Sequence, residues 1–449
     1  MQTIAQLAQQ LASGQTTSEA LVEAALDRID AHRKADGAAY ISVDVDAAKA
    51  AAKASDRDRA AGRVPSLLAG LPISIKDLFD VEGQVTRAGS RLLDTAAPAK
   101  ADAIVVSRLR AAGAILLGRT NMSEFAFSGL GLNTHYGTPR VPQAPSHVAG
   151  GSSSGAAVSV AEGMAVAGLG TDTGGSVRIP SAFCGLTGFK PTASRIPLDG
   201  TFPLAKSLDS IGPLATSVDE CWVIDGILAG AHLQTTPRPL ADLKLAITRD
   251  YVLDDLDDAT AKAFEASIQR LIAGGAQVRW IDFPELYQLP QINAAGGITA
   301  AEAWYVHRHC LEGVRSHLYD PLVAARIKRG EALSAFDYLQ LIEWRHRLIE
   351  AAEMRLGHFD AWLMPTVAIV APRVAALQES TATFFSTNAL VLRNTSVVNF
   401  LDGCALSLPC HMPGDLPVGL SVVGLQGRDG NVLMASRAIE ECLAIMRGS

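Results

Sequence analysis

Two serines, each directly after a Gly-Gly pair, are candidates for covalent chemistry. Ser152 lies in GGSSSG, and Ser176 lies in GTDTGGS, 24 positions further along the chain. Glycines let backbone N–H groups come close to a bound group, and a serine hydroxyl becomes a nucleophile when a base removes its proton. The two segments therefore predict acyl transfer to a serine.

Lys76 is the candidate base, because it is the only basic residue in the apolar run GLPISIKDLFD. Free lysine has a pKa of about 10.4, so it must lose its charge before it can accept a proton. Burial among apolar groups lowers the pKa of a lysine by up to ~3–5 units. The run LPISI is expected to be a buried strand that provides these surroundings. Asp77 follows, but neighbours on a strand point to opposite faces, so Asp77 need not pair with Lys76.

The segment GTDTGGS also predicts an oxyanion hole. Its glycines allow consecutive backbone N–H groups to converge on one oxygen, and losing one such donor typically slows an enzyme by ~10²–10³-fold. Ser176 ends this run and is the candidate nucleophile, while Ser152 is the candidate proton relay between Lys76 and Ser176. The predicted oxyanion-hole residues are Thr173, Gly174, Gly175 and Ser176.

Residues that bind substrate are less clearly marked. Phenylalanines in NMSEFAF and TATFFST are candidates for an acyl pocket that takes an aryl or apolar amide. Arg178 is a candidate partner for a substrate carboxylate, although pairing with Asp172 is the alternative. The candidate substrate-binding residues are Phe125, Ser153, Arg178 and Phe384.

The elements that must position these residues follow an α/β pattern. Short apolar runs alternate with helical patterns after Gly70, which predicts a sheet covered by helices on both faces. The predicted strands are LPISI, AILLG, MAVAGLG, KLAIT, QVRWI, DAWLMPT, ALSLP and PVGLSVVG. The predicted helices include DAIVVSRLRAAG, GAAVSVAEG, residues 259–273 and residues 431–445, and a capping box over 16–19 begins a further helix near the N-terminus.

At these motifs the sequence resembles the amidase signature family. The resemblance rests on GLPISIKDLFDVEG, GGSSSG and GLGTDTGGSVRIPSAFCGLTGFKPT, and on the spacing of the two serines. It implies Lys76 as general base, Ser152 as a bridging serine on a cis peptide, Ser176 as nucleophile, and residues 173–176 as the oxyanion hole. It also implies an amidase that works through an acyl-enzyme, and a mixed β-sheet core without metal or organic cofactor.

Within this resemblance, the chain is expected to be one amidase domain over residues 1–449. We predict an N-terminal helical segment (1–62), a catalytic core (63–229), a mostly helical inserted region (230–365) and a return to the core (366–449).

Other functions are compatible with parts of the pattern. The same machinery serves a carbamate, ester or ureido hydrolase, and the family includes glutamine-dependent amidotransferase subunits. A binding or scaffold protein that keeps the fold is opposed by the presence of all three catalytic candidates. GSSSG also fits the nucleophile elbow of α/β-hydrolases, with Ser153 as nucleophile and Asp402 and His411 as partners. An elbow follows a strand, whereas the preceding RVPQAPSHVA has two prolines and no strand pattern.

Composition predicts a reduced, cytoplasmic, soluble protein, and the resemblance implies a small-molecule amide as its partner. The net charge is −7 and no basic run is present, which argues against a nucleic-acid or anionic-membrane surface. Six cysteines without CxxC pairs indicate neither disulfides nor a zinc site. We find no signal peptide and no apolar run of membrane-spanning length, and the sequence is compatible with a homodimer.

Overall fold

Strands built from buried apolar runs form the centre of the protein. Its structure, a computed structural model, describes residues 2–234 and 236–447. Eleven strands make one sheet and two more make a small separate sheet. The strands are β1 Tyr40–Val43, β2 Pro72–Lys76, β3 Ile115–Thr120, β4 Arg140–Val141, β5 Ala144–Val148, β6 Ala167–Thr171, β7 Thr187–Lys190, β8 Ile211–Ala215, β9 Lys244–Thr248, β10 Gln277–Ile281, β11 Ala361–Pro365, β12 Cys404–Pro409 and β13 Gly419–Gly424.

The large sheet is mixed, and its order is β1-β3-β2-β6-β8-β7-β12-β13-β11-β9-β10. Parallel pairing joins β3 to β2, β2 to β6, β11 to β9 and β9 to β10. The pairs in the middle of the sheet, from β6 across to β11, are antiparallel. The small sheet pairs β4 with β5.

Helices lie on both faces of the large sheet. Neighbouring residues of β3 point to opposite sides: Ile115 and Leu117 pack in one apolar cluster and Leu116 packs against another. The same alternation separates Trp362 from Leu363 on β11. The helices are α1 Ile4–Ala12, α2 Ser18–Lys34, α3 Val45–Ala60, α4 Ile104–Ala111, α5 Ser154–Ala161, α6 Arg178–Phe183, α7 Val218–Ala229, α8 Asp258–Ala273, α9 Leu289–Ile292, α10 Gly297–Leu311, α11 Pro321–Lys328, α12 Ala335–Leu356, α13 Val374–Gln378, α14 Thr381–Phe400 and α15 Asp429–Arg447.

The predicted α/β fold, a mixed sheet covered by helices on both faces, is confirmed. The structure also contains every strand that the sequence predicts, with shifts of a few residues at the ends. Two local expectations were wrong. The N-cap of α2 is Thr17, whose hydroxyl accepts from Ala20 N, so the capping box does not start at residue 16. RVPQAPSHVA does form strands, because β4 and β5 pair there as an isolated hairpin.

The stretch from 230 to 365 contributes both helices and sheet strands. Helices α9 to α12 follow one another between β10 and β11, while β9, β10 and β11 form one edge region of the large sheet. The helices of this stretch reach the cavity described below. The division of the chain into four segments stays a prediction.

Candidate active site

The parallel pairing of β2 and β6 places the candidate base. Parallel neighbours end at the same edge of a sheet, and Lys76 and Thr171 are the last residues of these two strands. Lys76 Nζ lies 2.8 Å from Thr171 Oγ1 and 2.7 Å from Ser152 Oγ. The side chain of Lys76 is fully buried. A lysine amine is therefore held against a serine hydroxyl, away from bulk water.

Burial strongly changes the acidity of Lys76. It lowers the pKa of the amine to about 7, against the opposing effect of the negative charges on Asp172 and Asp209. Near neutral pH a large share of the amine is thus uncharged and able to accept a proton. The shift that the apolar run predicts for this lysine is present.

Ser152 is held by its backbone at the start of α5. The peptide bond between Gly151 and Ser152 is cis. Gly151 N donates to Gly129 O at 2.8 Å, and Ser152 O accepts from Ser123 N at 3.1 Å. These bonds fix the backbone on both sides of the serine, so that its hydroxyl points to Lys76.

Ser176 lies beside this pair at the start of α6. Ser153 N donates to Ser176 O at 3.2 Å, which links the two serine loops through the backbone. Ser176 is 4% exposed, and it lines a cavity of about 250 Å³. The structure thus brings the three predicted catalytic residues to one edge of the sheet, with Ser176 next to the cavity.

Asp172 organises the loop that carries Ser176. Its carboxylate accepts hydrogen bonds from Gly175 N at 2.8 Å and Val177 N at 3.1 Å. It also pairs with Arg178, with both side chains fully buried. Burial acts to raise the pKa of this carboxyl, but the charge and hydrogen bond of Arg178, with the charge of Lys190 and a hydrogen bond from Asn399, hold it well below its usual range. Asp172 is consequently an anion, and backbone N–H groups of the loop donate hydrogen bonds to it.

This arrangement changes the predicted oxyanion hole. The N–H of Gly175 already donates to Asp172, so it is not available to a substrate oxygen. Within residues 2–234 and 236–447, the N–H groups of Thr173, Gly174 and Ser176 donate to no protein group. Gly174 and Ser176 line the cavity together with Thr173. Three of the four predicted donors are thus free at the cavity.

Two residues that the sequence did not single out support the same loop. Thr173 Oγ1 donates to Asp209 Oδ1 at 2.5 Å, and burial raises the pKa of Asp209 to about 6. Asn399, on α14, donates to the carboxylate of Asp172 at 3.0 Å and accepts from Arg178 at 2.6 Å. Both lie far from the loop in sequence, so no local pattern marks them.

The candidate substrate-binding residues do not line the cavity. Phe125 is buried against Phe202, His307 and Tyr319. Phe384 packs in an apolar cluster. Ser153 Oγ donates to the backbone oxygen of Thr171 at 3.4 Å, and Arg178 is fully enclosed by Asp172, Thr395 and Asn399.

Other residues line the cavity instead of these candidates. Phe127 rather than Phe125 reaches the cavity, because the backbone turns sharply through positive φ at residues 125 and 126. The remaining lining comes mostly from helices α9 to α11 and α14: Leu289, Asn293, Thr299, Arg326, Arg329, Leu392, Arg393, Ser396 and Phe400 among others.

Other site types find little support in the described residues. Over 2–234 and 236–447, no group of three or more His, Cys, Asp or Glu side chains is placed to hold a metal ion. In the same ranges, no helix has both the length and the apolarity needed to cross a membrane. The nucleophile-elbow interpretation requires Asp402 and Ser153 as catalytic residues. Asp402 instead accepts a hydrogen bond from Gln426 at 2.7 Å, and Ser153 Oγ donates to the backbone oxygen of Thr171 on β6.

A buried lysine amine beside a serine hydroxyl, next to a cavity, is an arrangement that can activate a serine as a nucleophile. The family model described as Amidase matches residues 20–433. The chain therefore belongs to the amidase family, whose enzymes are hydrolases acting on amide C–N bonds.

Individual relatives agree with this assignment. The 2-amino-5-chloromuconic acid deaminase of Comamonas testosteroni is 35% identical over 92% of this chain and 88% of its own length. A glutamyl-tRNA(Gln) amidotransferase subunit of Koribacter versatilis (strain Ellin345) is 32% identical over 96% of both chains. The crystal structure of an amidase superposes with a TM-score of 0.89 at 34% identity, covering 98% of this chain and 100% of that one.

Proposed function

We propose that this chain hydrolyses the C–N bond of a small carboxamide through an acyl-enzyme on Ser176. The observation that carries the proposal is the fully buried Lys76 amine, 2.7 Å from Ser152 Oγ, with its pKa near 7. A buried neutral amine beside a serine serves as a general base at physiological pH.

The proposed reaction begins with proton transfer along the three residues. Ser176 Oγ gives its proton to Ser152 Oγ, and Ser152 gives its own proton to Lys76 Nζ. The hydrogen bond from Ser176 to Ser152 is the link that the proposal adds to the contacts described above. As its proton leaves, Ser176 Oγ forms a bond to the carbonyl carbon, whose oxygen becomes an anion held by the N–H groups of Thr173, Gly174 and Ser176.

The intermediate then collapses. The C–N bond breaks, and the proton stored on Lys76 returns through Ser152 to the leaving nitrogen, so that ammonia or an amine departs neutral. A water molecule next gives a proton to the same relay and attacks the ester carbonyl. Cleavage of the Ser176 ester releases a carboxylic acid and restores all three residues.

Replacing the proposed nucleophile tests this mechanism. Ser176→Ala is expected to abolish acyl-enzyme formation, measured as the mass increase of the intact protein after mixing with an activated amide or a carbamate reagent. Lys76→Ala is expected to slow acylation by at least ~10²-fold, since general-base catalysis contributes ~10²–10⁴-fold.

Ser153→Ala is the matched control, because Ser153 is the neighbouring serine that the nucleophile-elbow interpretation requires. It is expected still to form the acyl-enzyme. A mass increase on Ser176→Ala together with its loss on Ser153→Ala contradicts the proposal and supports the elbow.

A second candidate function is that of an amidotransferase component, which the similarity to a glutamyl-tRNA(Gln) amidotransferase subunit favours. The two functions separate on whether the isolated chain works. We expect turnover of small amides by the purified protein alone. Release of ammonia from glutamine only after addition of partner subunits supports the amidotransferase instead.

A further inference from the structure

Three arginines line the same cavity as Ser176. Arg326 lies on α11, Arg329 is the first residue after this helix, and Arg393 lies on α14. None of the described residues that line the cavity is an aspartate or a glutamate. Arg326 and Arg393 are half-buried, whereas Arg329 is exposed at the mouth of the cavity. Cations around a small cavity that has no acid in its lining make it positive, which attracts an anion.

Each arginine is partly used by the protein itself. Arg326 Nη1 donates to Phe127 O at 2.8 Å, Arg329 Nη2 donates to Ala294 O, and Arg393 Nη2 donates to Val252 O at 3.3 Å. A guanidinium carries five N–H groups. These bonds therefore fix the side chains in place and leave further donors for a ligand.

The charges of Asp254 and Asp255, two residues outside the cavity lining, act on Arg393. Asp255 lies 3.9 Å from Arg393, but the aspartate side chain is 85% exposed, so water screens its charge. Burial and the charge of Arg329 lower the pKa of Arg326 to about 10, so this guanidinium stays cationic at neutral pH. The charge of Arg329 acts against that of Arg326, and an anionic ligand relieves this repulsion.

We propose that the substrate is a carboxylated amide, whose carboxylate binds these arginines while its amide carbonyl lies at Ser176. A carboxylate accepts two parallel hydrogen bonds from the planar donors of a guanidinium. The cavity volume of about 250 Å³ limits the substrate to a small molecule. This inference rests on the proposed function, and it replaces the apolar or aryl amide that the sequence favours.

The lack of an acid makes the inference more specific. An amino acid amide such as glutamine carries an ammonium group beside its carboxylate, and this group needs an anionic partner. The described lining of the cavity has none and surrounds the site with positive charge. The substrate is therefore expected to carry the carboxylate without a neighbouring ammonium.

Binding to the Ser176→Ala protein tests the inference without requiring turnover. Matched ligands differ only in the carboxylate: glutaramate against pentanamide, succinamate against butyramide, and adipamate against hexanamide. Isothermal titration calorimetry is expected to show at least tenfold tighter binding of the carboxylated member in at least one pair. Glutaramate is expected to bind more tightly than glutamine. Equal affinities within all three pairs, or no binding by any member, overturn the inference.

Arginine variants then locate the carboxylate. In the Ser176→Ala background, Arg329→Gln and Arg393→Gln are each expected to weaken binding of the carboxylated ligand by about tenfold, as expected for loss of one charged hydrogen bond, and to leave the neutral amide unaffected. Arg393→Lys, which keeps the charge, is expected to restore part of the affinity. Arg347→Gln removes an exposed arginine that pairs with Glu343 on α12, and it serves as the control without effect.

The two proposals fail in different ways. Hydrolysis of neutral amides as fast as carboxylated ones, still dependent on Ser176, overturns the carboxylate inference alone. Hydrolysis that survives Ser176→Ala overturns the proposed function.

Discussion

Lys76 must be uncharged when Ser152 passes on its proton, and this requirement makes the reaction depend on pH. Since the pKa of Lys76 is lowered to about 7, mainly by burial, the active fraction falls tenfold for each pH unit below this value. We expect kcat/KM to rise with pH up to about 7 and then to level off. A pH profile of amide hydrolysis measures this, and an activity that falls as pH rises from 5 to 7 contradicts the role of Lys76.

The charge on Asp209 is expected to set the midpoint of that profile. This carboxyl has a pKa of about 6, so it is mostly ionised at pH 7, and its negative charge acts to raise the pKa of Lys76. Asp209→Asn is therefore expected to move the midpoint to lower pH. Asp58→Asn removes the same charge from an exposed pair with Arg63 and is expected to leave the midpoint in place. A shift to higher pH in Asp209→Asn contradicts the argument.

Sequence reasoning finds residues whose chemistry is marked by their neighbours. Lys76, Ser152 and Ser176 stand out because a lone cation in an apolar run and serines after Gly-Gly pairs are unusual locally. Thr171, Asp209 and Asn399 carry no such mark, since their contacts with the site depend on how distant segments meet. The cavity arginines are hidden for the same reason: a helical segment rich in cations reads as a solvated face until its neighbours are known.

At the scale of elements, the loop between β6 and α6 is held by contacts from three directions. Asp172 accepts from its backbone, Asp209 fixes Thr173, and Thr395 on α14 donates to Gly174 O at 2.6 Å. Gly175 has φ +133, and an added Cβ there comes within 2.1 Å of Thr395 Oγ1. The loop therefore needs a glycine for both its conformation and its contact with α14.

Gly175→Ala is expected to reduce acylation by about 10²-fold, comparable to the loss of one oxyanion donor, because the loop must move away from α14. Gly83→Ala is the matched control: it also has positive φ, at +79, but an added Cβ meets no atom within 4 Å. The control is expected to acylate normally. Acylation rates and melting temperatures of both variants check this, and normal acylation by Gly175→Ala contradicts the role of the loop.

Strands and helices with strong patterns were predictable from the sequence, whereas the sheet order was not. KLAIT and QVRWI have the lengths and apolar content of buried or half-buried strands, and they appear as β9 and β10. The isolated hairpin of β4 and β5 was missed because two prolines in RVPQAPSHVA oppose a strand in a central sheet. This hairpin lies outside the large sheet, where a proline need not break a ladder of hydrogen bonds.

At the scale of the whole molecule, the site draws on segments from β2 to α14 and buries charged groups that bulk water does not solvate. Lys76 and Lys190 are both fully enclosed, and burial lowers their pKa values to about 7 and about 8. The fold therefore destabilises the charged form of these lysines. Folding stability and catalytic readiness are coupled through the same amine.

This coupling predicts how the free energy of unfolding depends on pH. Between pH 7 and 9 the unfolded chain keeps the protons on Lys76 and Lys190, while the folded protein releases them. Since stability rises with pH wherever the unfolded state binds more protons, the protein is expected to be more stable at pH 9 than at pH 7. Above pH 9 the three buried thiols of Cys184, Cys221 and Cys404 act in the opposite direction. Burial raises their pKa values, so the folded protein keeps protons that the unfolded chain releases, and this lowers the free energy of unfolding as pH rises.

Lys76→Met separates the contribution of the catalytic amine from that of Lys190. The variant removes a group that contributes up to ~1.4 kcal/mol per pH unit, so its unfolding free energy is expected to rise less steeply from pH 7 to pH 9. It is also expected to be more stable than the parent at pH 7, because no charge must be buried. Urea denaturation at both pH values measures this, with exposed Lys100→Met as the control that keeps the parental slope. An unchanged slope in Lys76→Met means that Lys76 does not change protonation between pH 7 and 9, and this excludes it as the base that titrates near neutral pH.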